Sequence, residues 1–243
     1  MKDRQKLRKG IILFSFFLFP ATFYYFSPVL IIQATAEGII NGSFIMFGLM
    51  FISSLVLGRA FCGWVCPSGG CQEAIFSARD KRVTKGNYVK WIIWAPWVGS
   101  IVIPAIRGGG YTRTEFFYHT EYGFSIGNVQ ALITYFIVLF VLIVLPAFIF
   151  GRRSFCHHLC WMAPFMIAGR QIRNKFGWPS LKLKSEPDKC KQCLKCTTSC
   201  PMSLPVEDMV NGNKMEDAEC ILCGTCIDVF KFDTIKYAFY NRA

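Results

Sequence analysis

Histidine is scarce in this 243-residue chain, with only His119, His157 and His158 present. Haem held by two histidines needs both at one depth on facing helices, and this set does not offer that, so no haem is expected. No Gly-x-Gly-x-x-Gly opens a helix after a strand pattern, so no NAD or other nicotinamide site is implied. Acidic residues are few, 15 against 27 Lys and Arg. The long apolar runs carry no charged side chain, which excludes the ionisable relay of a pump. No small-residue cleavage site follows the basic Met1–Gly10, so the apolar run after it is expected to be a span and not a removed leader.

What the chain has in abundance is apolar length. Hydrophobic residues make up 53% and mean hydropathy is +0.37, high for a soluble protein. Four transmembrane helices are expected: Ile11–Ile32 (bent at Pro20 and Pro28), Ile39–Leu57, Trp91–Ile106 (the shortest) and Val129–Phe150. About 20 apolar residues span a hydrocarbon core of ~30 Å. Of 27 basic residues, only Arg107 and Arg113 fall outside Met1–Gly10, Arg59–Lys90 and the segment from Gly151 onward. The positive-inside rule then puts both termini and all cysteines on the cytoplasmic face of a prokaryotic cytoplasmic membrane. Topology and anionic lipid account for the net charge of +12, so no nucleic-acid partner is expected. A basic face for docking an acidic ferredoxin or flavodoxin stays open.

The two hairpins repeat each other. Gly58-Arg59-Ala60-Phe61-Cys62-Gly63-Trp64-Val65-Cys66-Pro67 closes the second run, and Gly151-Arg152-Arg153-Ser154-Phe155-Cys156-His157-His158-Leu159-Cys160 closes the fourth. Both run out and back in the same sense, as parallel repeats about a pseudo-twofold axis along the membrane normal. Residues i and i+4 share a helix face, so each Cys-x3-Cys is expected to present two thiolates in one direction. Cys62, Cys66, Cys156 and Cys160 would then hold one shared cluster at the membrane surface, iron–sulphur before zinc. The plain alternative is small buried residues in helix ends. Cys62-x3-Cys66-x4-Cys71 misses the Cys-x3-Cys-x2-Cys of S-adenosylmethionine radical enzymes by two residues, and no barrel-length domain follows.

Seven further thiols lie near the C-terminus. Cys190-x2-Cys193-x2-Cys196-x3-Cys200-Pro201 is a complete four-cysteine run; Cys220-x2-Cys223-x2-Cys226 repeats it with Phe230 in place of the fourth. In such bacterial-ferredoxin runs three cysteines wrap one cubane and the fourth ligates the other cluster. Cys200 therefore completes a site with Cys220, Cys223 and Cys226, while Cys190, Cys193 and Cys196 are one ligand short. Twelve cysteines make three sites of four if Cys71 supplies that ligand. The competing readings are a three-iron (3Fe-4S) cluster, a carboxylate such as Asp228 or Asp233, and an inert Cys71. Thiols at these spacings read as metal ligands in a reducing compartment, not as disulfides.

The expected organisation is an all-α membrane domain of two parallel-repeat hairpins (1–169), a basic interfacial linker (170–185) and a small α+β ferredoxin-like domain (186–243). The last is too small to fold on apolar burial alone, so clusters supply much of its stability. His157 and His158 read as surface packing ahead of cluster hydrogen bonds. Arg107-Gly108-Gly109-Gly110 reads as a turn ahead of an anion cradle. Trp91, Trp94, Trp97, Tyr118 and Tyr122 read as interfacial anchors first and as the surround of a quinone site second.

Together these residues resemble the four-span, polyferredoxin-like membrane proteins of the NapH type, which accompany periplasmic nitrate reductases and related respiratory systems. The resemblance covers essentially the whole chain and departs at Phe230 and Trp161, where the family usually carries Cys and Pro. It implies electron transfer between the quinone pool or a cytoplasmic donor and a partner reductase, as a quinol-dehydrogenase-like subunit. Three iron–sulphur clusters, mostly 4Fe-4S, are the expected cofactors, with the lipid bilayer and membrane or extracytoplasmic redox subunits as partners. Two other readings stand beside it: a conduit from cytoplasmic ferredoxin to an outward-facing flavoprotein, and a redox sensor or cluster-assembly scaffold.

Overall fold

The first apolar run does not make one straight helix. In the computed structural model, which describes residues 3–76, 78–83, 85–229 and 234–241, Asp3–Phe17 is helical and the following stretch Phe19–Phe26 leaves it at 59°. Pro20 explains the break, because it has no amide hydrogen and its ring crowds the carbonyl four residues back. The helix Pro28–Ala36 follows, with Pro28 in its first turn and the Ser27 hydroxyl accepting from the Leu30 amide at 3.4 Å.

The second run divides into a short strand, Ile39–Asn41, and the helix Gly42–Leu57, opened by the Asn41 side chain accepting from the Phe44 amide at 2.9 Å. The strand pairs in parallel with Arg113–Glu115. Val89–Arg107 (19 residues) and Val129–Phe150 (22 residues) are each long and apolar enough to cross a bilayer, and the bent first pair makes a third when counted as one span. Gly42–Leu57 is apolar but shorter. Against four full-length spans expected, two helices reach that length singly among the described residues. Val89–Arg107 buries only Lys90 and turns Ile92, Ile103 and Ile106 outward. Apolar surface of this extent belongs against lipid.

The repeat is visible in the backbone. Gly58 and Gly151 end their helices with φ of +58° and +112°, values that favour glycine. Short helices Ala60–Trp64 and Ser154–His158 come next, followed by Pro67–Ile75 and Ala163–Phe176. Pro67–Ile75 packs on Asp3–Phe17, and Ala163–Phe176 on Gly42–Leu57.

The expected linker 170–185 is not a surface-skimming segment. Its first part continues the helix Ala163–Phe176, with Arg170 and Arg173 buried and both bonded to Glu216. Its second part is the strand Ser180–Ser185, paired antiparallel with Ile235–Tyr240 from Ser180↔Tyr240 to Ser185↔Ile235. A basic residue with a carboxylate partner packs inward, which amphipathic spacing alone does not reveal. Phe230 and Asp233 lie outside the described residues.

Candidate metal centre

Cys62, Cys66, Cys156 and Cys160 are all buried, and the charges of Cys62, Cys66 and Cys156 all reach Cys160. The two motifs close alike: the amides of Val65 and Cys66 both donate to the Phe61 carbonyl at 2.9 and 3.0 Å, and those of Leu159 and Cys160 to the Phe155 carbonyl at 3.0 and 2.9 Å. Only the first cysteine of each motif sits in a helix, however. Cys66 has extended backbone (φ −62°, ψ 119°) just past Ala60–Trp64. A wide closing turn, not one helix face, therefore brings the second thiol round.

Burial pushes Cys66 up to about 12, with the charges of Cys62 and Cys156 adding to it, and also raises Cys62 and Cys160. Burial of Cys62, Cys66 and Cys160 disfavours their thiolates, and a cationic core held among them would supply the opposing charge. Among the described residues, no three His, Cys, Asp or Glu side chains converge tightly enough for a single metal ion. Zinc needs all its donors ~2.0–2.3 Å from one centre.

In the tail, Cys200, Cys220, Cys223 and Cys226 line one small apolar cavity of about 20 Å³ with Met202 and Ile221. Burial, then the Cys223 charge, pushes Cys200 up to about 12. The two runs also wrap alike: Gln192 and Leu194 in the first, and Leu222 and Gly224 in the second, have positive φ at matching positions. The first run therefore repeats the turns of the second. Cys196 is buried, Cys190 half-buried and Cys193 exposed.

Cys71 lies elsewhere. It is buried on Pro67–Ile75, pushed up by that burial to about 11, and its charge reaches Tyr135 of the last span. Asp228 is engaged by Arg4 at 3.0 and 2.7 Å and by Gln5 at 2.7 Å. His157 is buried, not superficial, with Nδ1 2.5 Å from Asn87 Oδ1, and burial lowers it to about 3. His158 meets the Ser154 and Lys85 carbonyls. Gly109 and Gly110 stand in open space after Arg107, as a turn.

The second run is seated on the first membrane motif. A Cβ on Gly63 would stand 2.3 Å from the Ile221 carbonyl oxygen, so glycine allows that backbone in. Trp64 Nε1 donates to the Leu222 carbonyl at 3.0 Å and Gln5 Nε2 to the Cys223 carbonyl at 3.0 Å.

Beside the membrane motifs lies an apolar cavity of about 410 Å³, whose lining includes Gln33, His119, Ser68, Phe155 and Met162. Trp161 lines it and donates to the Phe26 carbonyl at 3.2 Å. Trp91, Trp94, Trp97, Tyr118 and Tyr122, the aromatic set expected around a quinone, do not line it. Trp97 instead donates to the Pro28 carbonyl at 3.0 Å. No sequence spacing marks this cavity, because its walls come from five separate stretches.

Two family models match: the 4Fe-4S binding domain at residues 41–86 and 132–179, one match per hairpin, and the 4Fe-4S dicluster domain at residues 182–229. The chain belongs to the 4Fe-4S ferredoxin-type polyferredoxin family that includes NapH, YccM and NosR, and the resemblance read from its motifs holds. It is 25% identical over its whole length to all of the uncharacterized protein MJ0750 of Methanocaldococcus jannaschii. The putative electron transport protein YccM of Escherichia coli is 24% identical over 73% of this chain and 50% of its own. The ferredoxin-type protein NapH of Haemophilus influenzae is 26% identical over 74% of this chain and 64% of its own. No solved structure matches.

Proposed function

We propose that this protein is a membrane-anchored iron–sulphur electron carrier that draws electrons from a quinol and passes them through its thiol sites to a partner redox enzyme. The observation that carries this reading is the seating of Ile221–Cys223 on Gly63 and Trp64, where the backbone at Gly63 meets that of Ile221 and Cys223 and the Trp64 indole donates to the Leu222 carbonyl. Bound clusters supply one-electron transfer; the chain supplies their ligands, their spacing and a dry surround. Cys62, Cys66, Cys156 and Cys160 hold one cluster, Cys200, Cys220, Cys223 and Cys226 a second, and Cys190, Cys193 and Cys196 a third.

Cys71 is the sequence's candidate for the missing ligand of that third site, but its burial beside Tyr135 favours a packing role. The 410 Å³ cavity fits an apolar ring system, with Gln33 and His119 offering polar contacts. Four spans with both ends of the chain cytoplasmic complete the arrangement. Arg4 and Arg8, near the start, pair with Asp228 in the tail and Glu73 beside Cys71, which supports a common side for those segments.

The test is anaerobic protein in detergent, offered a short-chain quinol, reduced ferredoxin, or an apo-acceptor in turn, with the iron followed by electron paramagnetic resonance. Quinol-driven reduction is the expected result. Reduction by ferredoxin alone would replace it with the conduit reading, and cluster loss to the acceptor with the scaffold reading. Replacing Cys62 and Cys156 together by serine is expected to remove about four irons per chain.

A further inference from the structure

Two arginines occupy matched positions, each three residues before the first cysteine of its motif: Arg59 before Cys62 and Arg153 before Cys156. Both are completely buried. Arg153 Nη1 donates across the repeat to the Cys62 carbonyl at 2.7 Å. The charge of Arg59 reaches Cys62 and Cys156, and that of Arg153 reaches Cys156 and Cys66. Arg59 Nε and Nη2 and Arg153 Nε are buried with no partner among the described residues. Buried guanidinium nitrogens left unpaired are costly, and Arg59 is close enough to Cys62 to hydrogen-bond its thiol.

The counter-charges repeat as well. On one side Glu219 is shared by Arg59, at 2.7 Å, and Lys90; on the other Glu73 is shared by Arg153, at 2.5 Å, and Arg8, at 2.8 Å. Both carboxylates are themselves buried between their two cations. Each side therefore has two cations on one carboxylate and leaves one positive charge over. An uncompensated buried charge does not persist without a partner. Four thiolates around an oxidised four-iron core carry about two negative charges, which matches that excess.

We propose that Arg59 and Arg153 are a matched pair of fixed cations that neutralise the group bound by Cys62, Cys66, Cys156 and Cys160 and set its reduction potential. This rests on the reading that those four cysteines hold a cluster. Guanidinium does not deprotonate in proteins, so the pair is a permanent field and not a switch. Lys90 and Arg8 share those carboxylates and also reach the motif, Lys90 by its charge on Cys160 and Arg8 Nη1 by donating to the Gly63 carbonyl at 2.9 Å. The two arginines are positioning residues: they form no bond to iron.

The experiment is a potentiometric titration of the membrane-site resonance in whole protein, comparing Arg59→Gln, Arg153→Gln, Arg59→Lys, Arg153→Lys, Glu73→Gln and Glu219→Gln. Each Arg→Gln change is expected to disfavour reduction about tenfold, a fall of ~59 mV for one electron. Each Glu→Gln change is expected to shift the potential the opposite way, and each Arg→Lys change to keep it near the parent value. A merely structural role moves all six variants in one direction or leaves the potential fixed, and either result overturns the proposal. If an Arg→Gln variant fails to load iron, Arg→Lys potentials near the parent value beside raised Glu→Gln potentials support the proposal, and any other pattern overturns it. Full iron and an unchanged spectrum in the Cys62→Ser/Cys156→Ser protein would sink the cluster reading itself, whatever the arginines do.

Discussion

Gly63 lies against the Ile221 carbonyl so closely that any Cβ there would stand 2.3 Å from its oxygen. That one contact fixes how near the tail's thiol loop comes to the first membrane motif. Gly63→Ala is expected to force the loop away, lower stability by about 1–3 kcal/mol as overpacking does, and slow electron exchange between the two sites. Gly10→Ala is the control, since nothing lies within 4 Å of a Cβ there and alanine favours the helix. Thermal unfolding and freeze-quenched reduction kinetics check both. Equal kinetics in the two variants would show that the seating does not govern exchange.

Glu216 ties the strand pair to the membrane part through Arg170 at 2.6 Å and Asn174 at 2.8 Å. Burial works against its carboxylate, but Arg170, Asn174 and Arg173 hold it at about 2. The folded value lies below the unfolded ~4.3, so the unfolded chain binds the proton more readily. The contribution is complete above that unfolded value and is lost as pH falls toward about 2. With 27% of the side chain in water, its size is on the order of 2 kcal/mol. Wild type is expected to lose stability more steeply than Glu216→Gln below about pH 4.5 in detergent melts. Parallel curves would assign the ion pair no role.

The thiols were legible because ligand spacing is local: each run reads within eleven residues. The repeat was legible at Gly58 and Gly151 for the same reason. The buried cations were not. Arg59, Lys90, Arg153, Arg170 and Arg173 all counted as surface charge in the topology argument, yet each is buried against a carboxylate far along the chain, 160 residues for Arg59 and Glu219. Pairing at that separation leaves no periodic trace. The break after Phe17 had its signal in Pro20, but a proline in an apolar run marks a bend without giving its angle.

Cys71→Ser probes the twelfth thiol. Its neighbour is Tyr135 of the last span, and serine is close in size, so iron content and the spectra of all sites are expected to stay as in the parent. Stability is expected to fall by about 1 kcal/mol for a buried hydroxyl replacing a thiol. A drop of about one iron per chain with a three-iron signal would instead make Cys71 the fourth ligand of the Cys190, Cys193 and Cys196 site.

The cavity beside Phe155 gives the sharpest separation of electron entry from electron storage. Leu142 lines it within the last span and is no cysteine's neighbour in sequence. Leu142→Trp fills space a quinol ring would occupy, and is expected to cut quinol-driven reduction at least tenfold. Dithionite acts on exposed sites and does not use the cavity, so reduction by it is expected to be complete, with iron content unchanged. Ile103→Trp is the matched control, because Ile103 is exposed on Val89–Arg107 and faces lipid. A loss of both quinol- and dithionite-driven reduction would mean that Leu142→Trp disturbs the thiol sites. Equal quinol rates in parent and variant would place quinol entry elsewhere, with the Trp91, Trp94 and Trp97 face next in line.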